Sequence, residues 1–264
     1  MMLPRVRLIV AYMVCAGFVL SSGTVSAAEL SAQQIVDKSL ERNSFGFQNA
    51  LAQVTLTLVS KRGSERVRMI EIRSIEKEGL GRSLVRFRSP ADVAGTGFLV
   101  IERDDADDDQ YLYLPALGKV KRITGSQRNQ RFMGTDLTYA DMESRNLKDS
   151  ALTRQPDEKI SGNDTFVIDA VPNEGNDSQY SRTRSWIHKT SFVPLKVEFY
   201  DKRKKLLKTL KVRKLSKKQG NWVSMDSLIE NVQKKTKTVM KINEIDFDVK
   251  MDDSQFSQRA LTNG

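Results

Sequence analysis

Alternation of apolar and polar residues runs through most of this chain. Over Gln53–Val59, Val54, Leu56 and Leu58 fall on one side and Thr55 and Thr57 on the other, the period-two signature of a half-buried strand. Arg66–Ile75 follows, rich in Ile, Val and Met with interleaved charges, then Leu84–Arg88, Gly97–Glu102 and Gln110–Leu114. Later strand candidates are Asp164–Val171, Thr183–Lys189, Leu195–Tyr200, Leu206–Leu215, Trp222–Gln233 and Thr238–Val249. Turn residues separate them: Gly79, Ser89-Pro90, Gly118, Gly162-Asn163, Asn173 to Asn176 and Gln219-Gly220-Asn221. Roughly ten or eleven strands at such spacing predict one curved antiparallel sheet.

Helical periodicity is confined to two places. Ala32, Ile35, Val36 and Leu40 share a face, with Ser31 as N-cap and Gln34 completing a capping box. This helix should end near Asn43–Gly46. A second short helix is expected over Thr138–Asn146, with Asp136 before it as a cap. Between them, Lys119 to Arg131 is polar and basic and reads as a loop or hairpin. Phe98-Leu99-Val100-Ile101 and Tyr111-Leu112-Tyr113-Leu114 are apolar on both faces. One-sided burial would alternate, so part of the sheet should be covered on both sides, with the opening helix on the concave one.

The start of the chain has a different character. Arg5 and Arg7 precede an apolar run, Leu8 to Leu20, and small residues lead to Val25-Ser26-Ala27-Ala28. This reads as a secretory signal over 1–28, cut after Ala27 or Ala28, leaving 29–264 as a single domain in the periplasm. The run is too short to span a hydrocarbon core of about 30 Å. Cys15, the only cysteine, lies within it, so the exported part should rely on packing rather than disulfides.

Composition narrows the chemistry. One His excludes most zinc enzymes and one Cys excludes multi-cysteine metal sites. The acidic run Asp104 to Asp109 begins like a calcium loop, but Gln110 and Ala116 stand where the turn glycine and the bidentate Glu belong; a solvated turn is expected. No nucleophile elbow, P-loop or dinucleotide motif occurs. Neither an enzyme, a metal site nor a cofactor is therefore expected, and His188 is expected to be structural. The formal net charge is +10. Residues 29–193 hold 24 basic and 24 acidic residues, whereas 194–241 hold 15 and 4. Lys235, Lys237 and Lys241 are expected on one strand face. Such lysines either protect a sheet edge or form a docking surface for anionic lipid or an acidic partner. Export argues against nucleic acid.

The most distinctive string is Arg131-Phe132-Met133-Gly134-Thr135-Asp136-Leu137-Thr138-Tyr139-Ala140-Asp141-Met142-Glu143. With the basic segment before it and the tail Asp252-Asp253-Ser254-Gln255-Phe256-Ser257-Gln258-Arg259-Ala260-Leu261, it resembles the LolA/LolB-like outer-membrane lipoprotein-sorting proteins. The resemblance implies an unclosed β-barrel, mainly β, with helices plugging the concave side and a cavity for acyl chains. It implies a monomeric periplasmic carrier of lipid or lipoprotein, with an RND-type inner-membrane transporter as partner in the subgroup with the Gly134-Thr135-Asp136 signature. Phe132, Met133, Leu137, Tyr139 and Met142 are candidates for a flap at the cavity mouth, and Tyr111, Tyr113 and Trp186 for its lining. The alternative is an adaptor or sensor that binds a protein through the basic strands.

Overall fold

The computed structural model describes residues 29–41, 47–104, 106–143, 147 and 149–262. The expected export signal and Cys15 lie outside them. Thirteen strands form one antiparallel sheet that stays open. They are β1 (Ala50–Val59), β2 (Glu65–Lys77), β3 (Leu80–Ser89), β4 (Gly97–Ile101), β5 (Asp109–Leu114), β6 (Lys119–Arg122), β7 (Ser150–Ile160), β8 (Asn163–Pro172), β9 (Tyr180–His188), β10 (Pro194–Asp201), β11 (Leu206–Lys218), β12 (Asn221–Asn231) and β13 (Thr236–Asp246). Their spatial order is β6-β5-β4-β3-β2-β1-β13-β12-β11-β10-β9-β8-β7. Two meanders thus meet where β1 pairs with β13, and β6 and β7 are the free edges.

Two of these strands go beyond the sequence expectation. β6 falls in the segment expected as loop or hairpin, and β7 had no apolar alternation to mark it; most of its residues are exposed. Pro156 sits where the β7–β8 register slips between Gln155 and Glu158, a position an edge strand tolerates.

The opening helix, α1 (Ala32–Leu40), carries the expected capping box: Gln34 N–H to Ser31 Oγ at 3.2 Å, Ser31 N–H to Gln34 Oε1 at 2.9 Å. It ends at Leu40, capped by Glu41, earlier than expected; 42–46 lie outside the described residues. Ile35 and Val36 are buried against Phe166, Ile168 and Ile187 of β8 and β9, so α1 covers the β7-side end of the concave face.

The β6-side half of that face is covered by a strap, residues 123–143, in the connection from β6 to β7. Its residues Ile123, Phe132, Tyr139 and Met142 join Val54, Leu56, Leu58, Ile70, Ile72, Phe87, Phe98 and Leu112 in the main core. The rings of Phe98, Phe132 and Tyr139 lie 5.0–5.6 Å apart. Over the described part of the expected second helix the chain makes one 3-10 turn, Tyr139–Met142; residues 144–146 lie outside the described residues. Thr138 and Asp141 form its capping box, not Asp136.

A smaller core lies on the convex face. Phe256 and Leu261 of the C-terminal segment, which ends in α2 (Gln258–Thr262), pack on Leu84, Leu99, Tyr111 and Tyr113. This explains the two-sided apolar pattern of β4 and β5: the strap covers one face and the tail the other. Gly97 makes the fit possible, since a Cβ there would lie 2.8 Å from Leu261 Cδ2 and 3.1 Å from Arg86 Nη1.

Candidate functional site

The two halves of the concave face differ in how well they are covered. From β1 to β5, the inward apolar side chains are buried under the strap. Between the strap and α1, the inward residues Val197 and Phe199 of β10, Leu210 and Val212 of β11 and Met240 of β13 are only half-buried. They line a cavity of about 310 Å³, the lower end of the size typical of ligand pockets, about 300–1,000 Å³. Leu56, Ile70 and Ile72 form its far wall, Phe132, Leu137 and Met142 its cover, and Ser39 and Leu40 of α1 its other side. Hydroxyls are interspersed: Ser178, Thr183, Ser185, Ser224, Ser227 and Thr238.

Two aspartates fasten the cover to the sheet. Asp136 accepts hydrogen bonds from Thr238 Oγ1 at 3.0 Å, from Thr236 Oγ1 and from Arg131 Nη2 at 2.9 Å. Asp141 pairs with Lys208 of β11, whose side chain is 2% exposed against 4% for Asp141. Tyr180 donates its hydroxyl to Asp141 at 2.7 Å and Thr138 its N–H at 2.6 Å. Burial, then the Asp141 charge, push the Tyr180 phenol well above its ordinary range, so it stays a donor. The Lys208 ammonium sits over the Phe199 and Tyr180 rings at 4.8 and 5.1 Å. Arg68 holds the Met133 carbonyl, and Met133 itself has left-handed backbone, φ 45°. Asp136 and Asp141 of the distinctive string therefore fasten the cover to β13, β11 and β9.

Glu143 closes the cover next to Arg128, with Arg128 Nε 3.1 Å from its carboxylate. Arg128 also contacts Asp107 at 2.7 Å. Burial raises the Glu143 carboxyl to about 8; Arg128 opposes this, and Asp108, Asp107 and Asp177 add to it.

The expected site residues divide between the faces. Phe132, Leu137 and Met142 line the cavity. Met133 and Tyr139 belong to the core behind them. Tyr111 and Tyr113 do not line it, because their phase in β5 points them at the convex mini-core. Trp186 does not either: it alternates with Thr183 and Ser185 of the lining, and it donates Nε1–H to Glu158 at 2.8 Å beneath the Lys196 ammonium. His188 bonds Ser191 Oγ through Nδ1 at 2.8 Å in a turn. Lys237 and Lys241 are on β13 and Lys235 is in the turn before it, with φ 56°. This is not a purely basic face, since Lys237 pairs with Glu230 at 3.2 Å and Lys241 lies opposite Asp226. Sequence reasoning missed the inward row Val197, Phe199, Leu210 and Val212, although its alternation in β10 and β11 was a readable signal.

A domain described as an outer membrane lipoprotein-sorting protein, from Vibrio parahaemolyticus, is 30% identical and superposes with a TM-score of 0.79, covering 88% of this chain and all (100%) of that one. The chain belongs to the LolA-like outer-membrane lipoprotein-sorting family. A DUF1329 family protein from Desulfovibrio piger is 28% identical, with a TM-score of 0.78 over 87% of this chain and 98% of that one. The LolA superfamily protein of Nitrosomonas europaea, 19% identical with a TM-score of 0.67 over 88% of this chain and 100% of that one, shares the LolA-like fold. A family model described as "Uncharacterized protein" matches residues 79–263. No curated protein matches the chain.

Proposed function

We propose that this LolA-like protein is a periplasmic carrier that buries the acyl chains of a lipid or lipoprotein in the cavity between strap, α1 and β9–β13. The observation that carries the reading is the row of half-buried apolar side chains facing inward, Val197, Phe199, Leu210, Val212 and Met240. Residues so placed are ordinarily covered, and a chain of methylenes covers them at about 0.8 kcal/mol per CH₂ removed from water. No bond is made or broken, so the reading needs no catalytic group. The family assignment supports a lipid or lipoprotein cargo, and the export-like residues 1–28 support a periplasmic setting.

With its cover tied down by Asp136 and Asp141, the cargo enters on the α1 side of the cavity, beside Ser39 and Leu40. The strap thus serves as a fixed wall rather than a flap. Delivery toward the outer membrane by way of an RND-type inner-membrane transporter rests on the resemblance of the 131–143 string. Site-specific photo-crosslinking from Ser39 would recover that transporter if it docks at the entrance. The carrier reading itself is tested by lipid mass spectrometry on protein purified from its exported form. Acyl lipid at near-stoichiometric amount is expected. Protein free of lipid that also fails to take up a fluorescent fatty acid would overturn it.

A further inference from the structure

A second concavity lies on the opposite face of the sheet. In β2 the side chains of Ile70 and Ile72 face the acyl cavity, whereas Glu71 and Arg73 face outward into a groove of about 570 Å³. Arg86 and Arg88 of β3 form its other wall, and Ser254, Gln255, Ser257 and Arg259 of the C-terminal segment form its rim. Four guanidinium groups and one carboxylate thus share one hollow.

The internal bonds of this cluster leave positive charge over. Glu71 accepts from Arg73 Nε at 2.9 Å and from Arg88 Nη2 at 3.0 Å. Gln53 adds a contact at 3.3 Å, so that one carboxylate is fully used. Arg86 is 4% exposed and spends its N–H groups on carbonyls: Leu261 and Ala260 at 2.7 Å each and Gly95 at 3.3 Å. These neutral acceptors fix its position but leave its charge uncompensated. Burial lowers the Arg86 pKa, and the Arg88 and Arg73 charges lower it further. Arg73 Nη1 reaches the neutral Gln255 Oε1 at 3.1 Å. Arg259 is exposed and makes no ion pair among the described residues. A tail clamp accounts for Arg86 and in part for Arg73. It does not account for Arg88 and Arg259 on the same hollow, nor for three net positive charges around it.

We propose that this groove between β2, β3 and the C-terminal segment binds a phosphate group, held by Arg88 and Arg259 at the rim and attracted by the fixed Arg86 and Arg73 below. Guanidinium forks match the oxygens of phosphate in paired hydrogen bonds. A phosphate monoester, with about −1.5 to −2 charge at pH 7, also answers the excess charge better than a single carboxylate, which Glu71 already supplies, and a diester offers two free oxygens to the guanidinium forks. Because the groove and the acyl cavity lie on opposite faces, the two can fail independently.

The test uses the exported protein and its Arg88→Gln/Arg259→Gln variant. Neither side chain contributes to the tail clamp, so the variant should melt within about 2 °C of the parent. Binding of inorganic phosphate and glycerol 3-phosphate is measured by calorimetry at low salt, with acetate as the carboxylate control. Flotation with phosphatidylglycerol vesicles tests the same phosphate on a membrane. Saturable binding of the soluble phosphates, weakened about tenfold or more in the variant, supports a site for free phosphate compounds. Binding to vesicles alone, lost in the variant, supports a lipid headgroup as the source. No binding to either, equal binding of acetate, or binding unchanged in the variant would overturn the proposal. Fatty-acid uptake by the variant should equal that of the parent, which separates this outcome from failure of the carrier reading.

Discussion

Lys208→Met tests whether the cover of the cavity is fastened or free. The Lys208–Asp141 pair is almost wholly buried, with 2% and 4% of the side chains exposed. Removing one partner of a buried pair strands the other charge at a cost of about 3–5 kcal/mol. Asp141 keeps two donors, the Tyr180 hydroxyl and the Thr138 N–H, so the low end applies, about 3 kcal/mol. For a domain of this size that lowers the melting temperature by about 6–12 °C. Adding Asp141→Asn removes the stranded charge and retains an acceptor oxygen for Tyr180, and should recover about half of the loss. Urea denaturation of the parent, the two single variants and the double variant completes the cycle. A Lys208→Met cost under about 1 kcal/mol, or a double variant no better than the sum of the singles, would refute the fastened strap.

Two further perturbations probe the flanks of the site. Gly97→Ala forces a methyl to 2.8 Å from Leu261 Cδ2 and 3.1 Å from Arg86 Nη1; it should cost about 1–3 kcal/mol and make the C-terminal segment an early target in limited proteolysis, read by mass spectrometry. Glu143, with its carboxyl raised from 4.5 to about 8, takes up a proton on folding between those values. Its contribution is full below about 4.5 and is lost as pH rises to about 8. Glu143→Gln should therefore flatten the fall in unfolding free energy between pH 5.5 and 8.5, by about 3 kcal/mol, and an unchanged slope would show that Glu143 is solvated. Below pH 4 the opposite trend takes over. Glu71, Asp109 and Asp169, held below their ordinary range by arginine pairs that outweigh burial, lose their contribution as pH falls through their folded values.

Most strands were legible because a sheet covered on one face writes itself as alternation, as Val54, Leu56 and Leu58 do. Where that physics is absent, the sequence is silent. β6 has a single apolar residue, Val120, and β7 is an exposed edge broken by Pro156. The two-sided runs in β4 and β5 announced a second cover without saying which segment supplied it. The tail that does so is recognisable only through Phe256 and Leu261, which are far away in sequence. The same ambiguity sent Tyr111, Tyr113 and Trp186 to the wrong face, since an aromatic residue in a doubly covered sheet fits either. Asp136 looked like a helix cap because it precedes a short turn; its partners Thr236 and Thr238 lie about a hundred residues on. The cavity was legible as a consequence of family resemblance, but its walls come from strand register, which no local pattern states.

Acyl chains are expected to occupy the cavity beneath the strap. The most direct measurement is displacement of a bound fluorescent fatty acid by unlabelled saturated acids of increasing length, in the parent and in Thr183→Phe and Val197→Phe. Both residues face the cavity and are half-buried, so a phenyl ring fills space without entering the packed core. Each two-carbon extension is expected to tighten binding by about 1.6 kcal/mol, about 15-fold, up to a limit, and both variants are expected to reach that limit at shorter chains while melting like the parent. Affinity independent of chain length, or unaltered by either ring, would contradict it.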